Sequence, residues 1–223
     1  MAEVELRAIH AVTVEMHGGM LTLAIACVLL KMADLTWQRF LPRRLLRLHG
    51  FVAKASGLAG PASILAALGG IAGLVASAIT GYLMVPGATL TDDPLAMNKV
   101  MVTTFAIELW SIYLLLAVRH FKTLWDPRSP LALVASASAI LGFASSVIGG
   151  SLGGTMAGKG SVLAPVWELL NVDIHRPWIL ATQTAILLAI AVNVLAFLFL
   201  ARRARRGQAT PRQSQSAAEE PAP

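Results

Sequence analysis

Residues 98–121 read NKVMVTTFAIELWSIYLLLAVRHF, and this stretch decides the fold class. Between residues 100 and 118 its one charged side chain is Glu108, so the segment can cross a hydrocarbon core of ~30 Å as an α-helix. At ~1.5 Å per residue, Glu108 lies roughly 14 Å below the polar start of the segment. A carboxylate at that depth is costly in lipid and has to face protein or water, so Glu108 is a candidate functional residue.

Glu108 has two interpretations. It is a proton relay, an ion site or a hydrogen-bond anchor for a cofactor, or it is a protonated acid that joins two helices. The identity and depth of Glu108 do not distinguish between these two interpretations. Its role depends on which other polar side chains the fold brings near it.

The composition extends this prediction from one helix to the whole chain. Of the 223 residues, 56% are hydrophobic and 13% are charged, which excludes an ordinary soluble domain. The apolar runs lack the alternation of a transmembrane barrel, so helices are the remaining way to satisfy the backbone in lipid. We predict an all-α, polytopic transmembrane bundle. Its five predicted spans cover residues 12–36, 61–85, 99–120, 131–153 and 178–200.

The basic residues predict the orientation of this bundle. The segments after the first, third and fifth spans are rich in Lys and Arg, whereas the loop after the second span carries Asp92 and Asp93. Because positively charged segments stay in the cytoplasm, we predict the N-terminus outside and the C-terminus inside. The net charge of +6 then reflects topology, and no nucleic-acid partner is expected. The basic residues are Arg39, Arg43, Arg44, Arg47, Lys54, Arg119, Lys122, Arg128, Arg202, Arg203, Arg205 and Arg206.

The remaining segments complete the predicted organisation. Residues 1–203 form the transmembrane domain, and residues 204–223 form a polar tail that is predicted to be disordered and cytoplasmic. Residues 38–54 predict an interfacial amphipathic segment, and residues 162–170 predict a short helix at the outer surface. Residues 1–17 do not form a cleavable signal peptide, and the predicted location is the plasma or inner membrane.

Small residues at four-residue spacing predict close packing of helices. The helices could meet within the bundle, against a partner membrane subunit or against a second copy of the chain. One run, GGTMAGKG from Gly153, has the spacing of a phosphate-binding loop, but Gly160 replaces the magnesium-binding Ser or Thr and no strand precedes it. A nucleotide site is therefore not predicted. The small-residue pairs and ladders are Gly69 with Gly73, Ser145 with Gly149 and Gly153, and Ser146 with Gly150 and Gly154.

Polar side chains gather in the predicted outer half of the bundle. His17 lies inside the first span, and His10 precedes it by seven residues on nearly the same helix face. Axial histidine is the usual ligation of b-type haem, so the candidate cofactor is haem b, or a metal of unknown identity, bound through His17 with His10 or His175. The predicted cofactor-binding residues are His17, His10, His175 and Glu108, and the predicted proton or ion relay is Glu108, Glu15 and Gln183.

Other roles for the histidines stay open at this point. His17 is alternatively a packing residue, and a two-haem arrangement would also use His49 and His120. No catalytic Ser or Cys constellation and no HExxH spacing is present, so no catalytic residue is assigned. The single cysteine, Cys27, excludes an intrachain disulfide.

Three motifs carry a resemblance to a known group of proteins: IHAVTVEMHGGML at 9–21, ASAITGYL at 76–83 and GGSLGGTMAGKGSV at 149–162. They are similar to an uncharacterised prokaryotic four-helix membrane-protein family with a histidine-bearing first helix and a Gly-Gly motif at the end of the fourth. The resemblance implies a redox- or haem-associated role. The chain departs from that family in the spacing of His10 and His17, in lacking prolines after them and in its fifth span.

These observations predict an integral membrane subunit of a respiratory or other redox complex, cytochrome-b-like, with a haem or metal site in the outer leaflet. The first alternative is a small transporter or channel in which Glu108 is the proton- or ion-coupling carboxylate. The second is a purely structural accessory subunit that binds partner helices through its small residues. The residues do not decide whether the protein is an enzyme.

Overall fold

Helices account for the regular secondary structure of the parts that the structure, a computed structural model, describes: residues 2–40, 46–84, 92–127 and 129–178. Four of these helices are long, and a fifth is a short helix in the last loop. The all-α prediction is confirmed over these ranges. The helices are α1 (Ala2–Phe40), α2 (Leu46–Met84), α3 (Pro94–Arg119), α4 (Pro130–Met156) and α5 (Ala164–Leu169).

The four long helices are each long and apolar enough to cross a membrane. The segments with this property are Glu5–Gln38, Gly50–Met84, Pro94–Arg119 and Pro130–Met156. The described part of the chain therefore has four helices that are able to cross a membrane, as a multi-pass membrane protein requires, and the number of spans stays a prediction. The fifth predicted span at 178–200, apart from Trp178, and the tail at 204–223 lie outside the described residues, and the orientation of the bundle stays a prediction.

The first two helices are longer than their predicted spans. Both α1 and α2 contain 39 residues, because a helix continues through polar residues beyond its apolar part. Residues 46–54, which were expected to belong to an interfacial segment, are instead the first turns of α2. Pro61 lies inside α2, where a membrane helix tolerates it if neighbouring groups satisfy the freed backbone.

Glycines set the distance between the helices of each antiparallel pair. In the first pair, a Cβ on Gly73 would lie 2.8 Å from the Cβ of His17 on α1. In the second, a Cβ on Gly142 would lie 3.0 Å from Trp110, and one on Gly149 would lie 3.2 Å from Thr103. These distances leave no room for a larger residue, so the small residues of α2 and α4 pack within the bundle, as small-residue faces in membranes do.

An aromatic core joins the two pairs. Trp110 and Tyr113 of α3 are fully buried and meet edge to face, with ring centroids 5.7 Å apart. The Tyr113 hydroxyl donates to Ser63 Oγ of α2 at 2.6 Å. Because α2 packs on α3 and α1 on α4, the chain runs up, down, up and down through the bundle. We call the end where α1 and α3 begin the loop end, and the opposite end the basic end.

The glycine-rich run after α4 is a helix terminus. The Gly158 N–H donates to Thr155 O at 3.0 Å, and the Lys159 N–H donates to Gly154 O at 2.9 Å. Gly158 has φ of +69°, which favours glycine. These are the hydrogen bonds of a Schellman cap at a helix C-terminus. A phosphate-binding loop instead uses a helix N-terminus, so the rejection of a nucleotide site holds for a second reason.

Candidate functional site

A group of four polar side chains lies near the loop end, and we call it the histidine–lysine cluster: His10, His17, Thr80 and Lys99. His10 and His17 are seven residues apart on α1, which places them about 10.5 Å apart along the helix axis and on nearly the same face. That face is turned towards α2, where Gly81 lies against His10 and Gly73 against His17. The predicted pairing of these two histidines on one face is therefore present.

The hydrogen bonds of Thr80 fix the tautomer of His10. The Thr80 hydroxyl donates to Ala76 O at 2.9 Å, so its proton is already in use. His10 Nδ1 lies 2.9 Å from Thr80 Oγ1 and must then be the donor of that bond. In the neutral ring Nε2 consequently carries the lone pair.

His17 reaches the same tautomer by a different route. Its Nδ1 lies 3.0 Å from the carbonyl oxygen of Thr13, one turn earlier on α1. A carbonyl can only accept, so Nδ1 carries the proton and Nε2 carries the lone pair. In both imidazoles, therefore, Nδ1 is hydrogen-bonded to an oxygen of the protein and Nε2 is the unprotonated nitrogen.

Lys99 brings a positive charge to the two imidazoles. It is a half-buried residue of α3, and its Nζ lies 3.0 Å from the position of a Cβ on Gly153, so the side chain runs over that glycine of α4. Its charge acts on both His10 and His17. Among the residues that the structure describes, no carboxylate forms an ion pair with it. A cation held in this way is a natural partner for an anionic group on a ligand.

Sequence reasoning placed Lys99 at the very start of the third predicted span and gave it no role in a site. Asp93 caps α3 by accepting from the Leu95 N–H at 2.9 Å, and Pro94 takes the first helical position. An Asp-Pro pair is a known start signal for a helix. The Asp-Pro pair indicates that the helix begins before residue 99. It does not reveal that the Lys99 side chain runs over Gly153 of α4.

Two other predicted site residues, Glu15 and His175, do not join the cluster. Glu15 is exposed on α1, and it lies two residues, or ~200°, around the helix from His17. His175 is exposed in the loop after α5, where its backbone N–H donates to Asp173 Oδ1 at 2.9 Å. Gln183 lies outside the described residues.

Glu108 lies on a different face of α3 from the core. It is two residues from Ala106 and two from Trp110, both fully buried, and so points ~160–200° away from them. Its Oε1 is nevertheless buried. Along α3 it is nine residues, or about 13.5 Å, from Lys99.

An ordered loop adjoins the cluster at the loop end. The side chain of Asn98, next to Lys99, donates to Ile174 O at 3.2 Å and to Arg176 O at 2.8 Å. It also accepts from the Trp178 N–H at 3.0 Å. Trp167 Nε1 donates to Ser161 Oγ at 3.2 Å, which ties α5 to the start of the same loop. The start of α3 and the 157–178 loop are therefore fixed relative to each other.

The described residues do not supply a complete metal site. Within those ranges no group of three or more His, Cys, Asp and Glu side chains is placed to hold a metal ion. Two axial imidazole nitrogens lie roughly 4 Å apart across an iron, twice a metal–nitrogen bond of ~2 Å, whereas His10 and His17 are about 10.5 Å apart along α1. One haem could therefore take one ligand from α1, but not both.

No family model, curated protein or solved structure matches the chain. Its function has to be inferred from the geometry of the bundle and of the histidine–lysine cluster.

Proposed function

We propose that the protein is an integral membrane subunit of a redox complex in the plasma or inner membrane, and that the histidine–lysine cluster binds its cofactor. One observation carries the proposal. Both imidazoles donate Nδ1–H to a fixed oxygen and leave Nε2 unprotonated. Histidines that bind metals show this arrangement, because the second hydrogen bond orients the ring and raises the basicity of the ligand nitrogen.

The cofactor that we propose for the cluster is haem b. His17 or His10 would supply one ligand nitrogen to the iron, and Lys99 would balance negative charge on the bound group. The second axial ligand would come from outside the described residues or from a partner subunit. When bound, haem b supplies one-electron transfer; the chain orients the ring and balances its charge.

The visible absorption spectrum of the purified protein tests this proposal. The full-length chain is solubilised from membranes, and a dithionite-reduced minus oxidised spectrum is recorded. A b-type band that is lost in His17→Ala or in His10→Ala, with the protein still folded by circular dichroism, is the expected result. A colourless protein, or a band that both variants retain, would contradict it.

The orientation and the partners belong to the same proposal. The basic residues support an N-terminus outside and a C-terminus inside, which puts the cluster near the outer surface. Around Gly18, Gly19 and Gly150, an added Cβ would meet no described atom within 4 Å. These small residues leave two helix faces on which partner membrane subunits or a second copy could pack.

A second candidate function is proton- or ion-coupled transport through Glu108. The observation that favours it is the buried Oε1 of this carboxylate within the apolar part of α3. Ionisable groups inside a membrane mark transport pathways more often than packing sites. Glu108→Gln should abolish coupled flux in liposomes, whereas Glu15→Gln, at an exposed position, should not. Equal flux in Glu108→Gln and the parent protein would reject this function.

A further inference from the structure

A cavity opens at the basic end of the bundle, far from the histidine–lysine cluster. It lies between the end of α1, the start of α2 and the end of α3, and its volume is about 200 Å³. Sites for drug-sized molecules are larger, at roughly 300–1,000 Å³, so this cavity has the size of a head group rather than of a whole amphiphile. Its lining residues are Lys31, Gly57, Gly60, Pro61, Ile64, Ala117, Phe121 and Trp125.

Lys31 is the charged residue among the described side chains that line the cavity. Its Cε lies 3.5 Å from the position of a Cβ on Gly60, so the stem packs on α2 where that helix has no side chain. The nearby Asp34 balances part of its charge. Among the described residues around this end, Lys54, Arg119 and Lys122 are exposed against one exposed acid, Asp126, so the local charge is positive.

Pro61 adds an acceptor to the same cavity. A proline has no N–H, so the carbonyl of the residue four positions earlier loses its helical hydrogen bond. That residue is Gly57, which also lines the cavity. In a membrane such a carbonyl needs a donor from elsewhere. The cavity therefore combines a cationic donor, Lys31, with a backbone oxygen that can accept a hydrogen bond.

The surface beside the cavity is apolar. Leu58 and Leu65 lie on the same face of α2 as Pro61 and are 73% and 69% exposed. Phe121 and Trp125 line the side towards the end of α3, and aromatic rings of this kind favour the level of lipid head groups. An amphiphile in the cavity would thus keep its acyl chains along α2.

We propose that this cavity binds the head group of an anionic, hydroxyl-bearing phospholipid such as phosphatidylglycerol. Lys31 pairs with the phosphate, a head-group hydroxyl donates to the Gly57 carbonyl, and the chains lie along Leu58 and Leu65. A basic pocket between membrane helices is the expected setting for an anionic lipid. The proposal is independent of the redox function, since it uses other residues at the other end of the bundle.

Native mass spectrometry of the full-length protein in neutral detergent tests the proposal. Phosphatidylglycerol and phosphatidylcholine with the same acyl chains are titrated separately. One lysine near a lipid head group contributes a preference of about fivefold, so the anionic lipid should bind at least about fivefold more tightly. Lys31→Gln should remove that preference. The control Lys122→Gln, at an exposed position of the same end, should keep it.

A second variant covers the case in which Lys31→Gln fails to fold. A Cβ on Gly57 would meet nothing within 4 Å, so Gly57→Leu fits the helix, fills the cavity and leaves Lys31 in place. It should also abolish the tight binding. Equal affinity for the two lipids in the parent protein, or a preference that survives in Gly57→Leu, would overturn the proposal. Displacement of the lipid by millimolar glycerol 3-phosphate would show that the site recognises a free phosphate ester instead, and would overturn it as well.

Discussion

His10 Nδ1 lies 2.9 Å from the hydroxyl of Thr80, and this bond joins the first two helices across 70 residues of sequence. The Thr80 proton is committed to the backbone of its own helix, so the bond orients the imidazole and fixes its tautomer. Thr80→Val should leave His10 Nδ1–H without its acceptor. We expect the free energy of unfolding to fall by about 1 kcal/mol, measured by denaturation in sodium dodecyl sulfate.

The control for this change is Thr80→Ser, which keeps the hydroxyl and should be nearly neutral. If the valine and serine variants are equally stable, the bond does not hold His10.

Gly73→Val should disrupt the packing of α1 on α2. A Cβ at this position would lie 2.8 Å from His17 Cβ and 3.1 Å from its backbone nitrogen, so the helices would have to separate. Overpacking of a rigid contact costs ~1–3 kcal/mol, and backbone atoms cannot move aside as side chains do, so the upper end of that range is expected. Gly18→Ala, with open space around it, should instead be neutral or slightly stabilising. Similar losses in both variants would contradict this packing.

Tyr113→Phe should lower the stability of the packing between the two helix pairs. It removes the hydroxyl that donates to Ser63 Oγ at 2.6 Å but keeps the ring that packs on Trp110. Hydrogen bonds between membrane helices contribute about 0.6 kcal/mol on average and up to ~1.7 kcal/mol. A double-mutant cycle with Ser63→Ala should give a coupling energy in that range, and a coupling of zero would mean that the two groups do not interact.

The orientation of the bundle can be read with a thiol probe, because Cys27 is the single cysteine. In a Cys27→Ala background, Lys159→Cys in the loop after α4 and Lys122→Cys at the basic end are both at exposed positions. A membrane-impermeant maleimide should label Lys159→Cys in intact cells, and Lys122→Cys only after permeabilisation. The reverse pattern would place the N-terminus inside.

Local and periodic features of the chain were predictable from sequence. The apolar runs located four helices able to cross a membrane, and residues 162–170 contained the short helix Ala164–Leu169. The spacing of Gly69 with Gly73 and of Gly149 with Gly153 located close contacts, whereas Gly150 of the second ladder meets no described atom within 4 Å. Each of these depends on residues near one another in the chain, where helix geometry alone relates spacing to face.

The composition of the site was less predictable, because it depends on which helix faces meet. The charge of Lys99 acts on the histidines only because α3 and α4 pack against the first helix pair, and no spacing in the sequence encodes that packing. The position of Glu108 in the sequence gave its depth in the segment, but not that it lies on a different face of α3 from Ala106 and Trp110. Hydropathy predicts how deep a residue lies in the membrane, but it does not predict how its helix is rotated about its own axis.

The haem content of four matched proteins tests the role of the histidine–lysine cluster most directly. The parent chain, His10→Ala, His17→Ala and His175→Ala are purified in parallel, and haem is quantified per polypeptide as the pyridine haemochrome. His175 is exposed and lies outside the cluster, so His175→Ala should keep the haem of the parent. His17→Ala, His10→Ala or both should lose it. Haem that is lost in His175→Ala and retained in the two cluster variants, or that is absent from the parent, would contradict a cofactor site at His10 and His17.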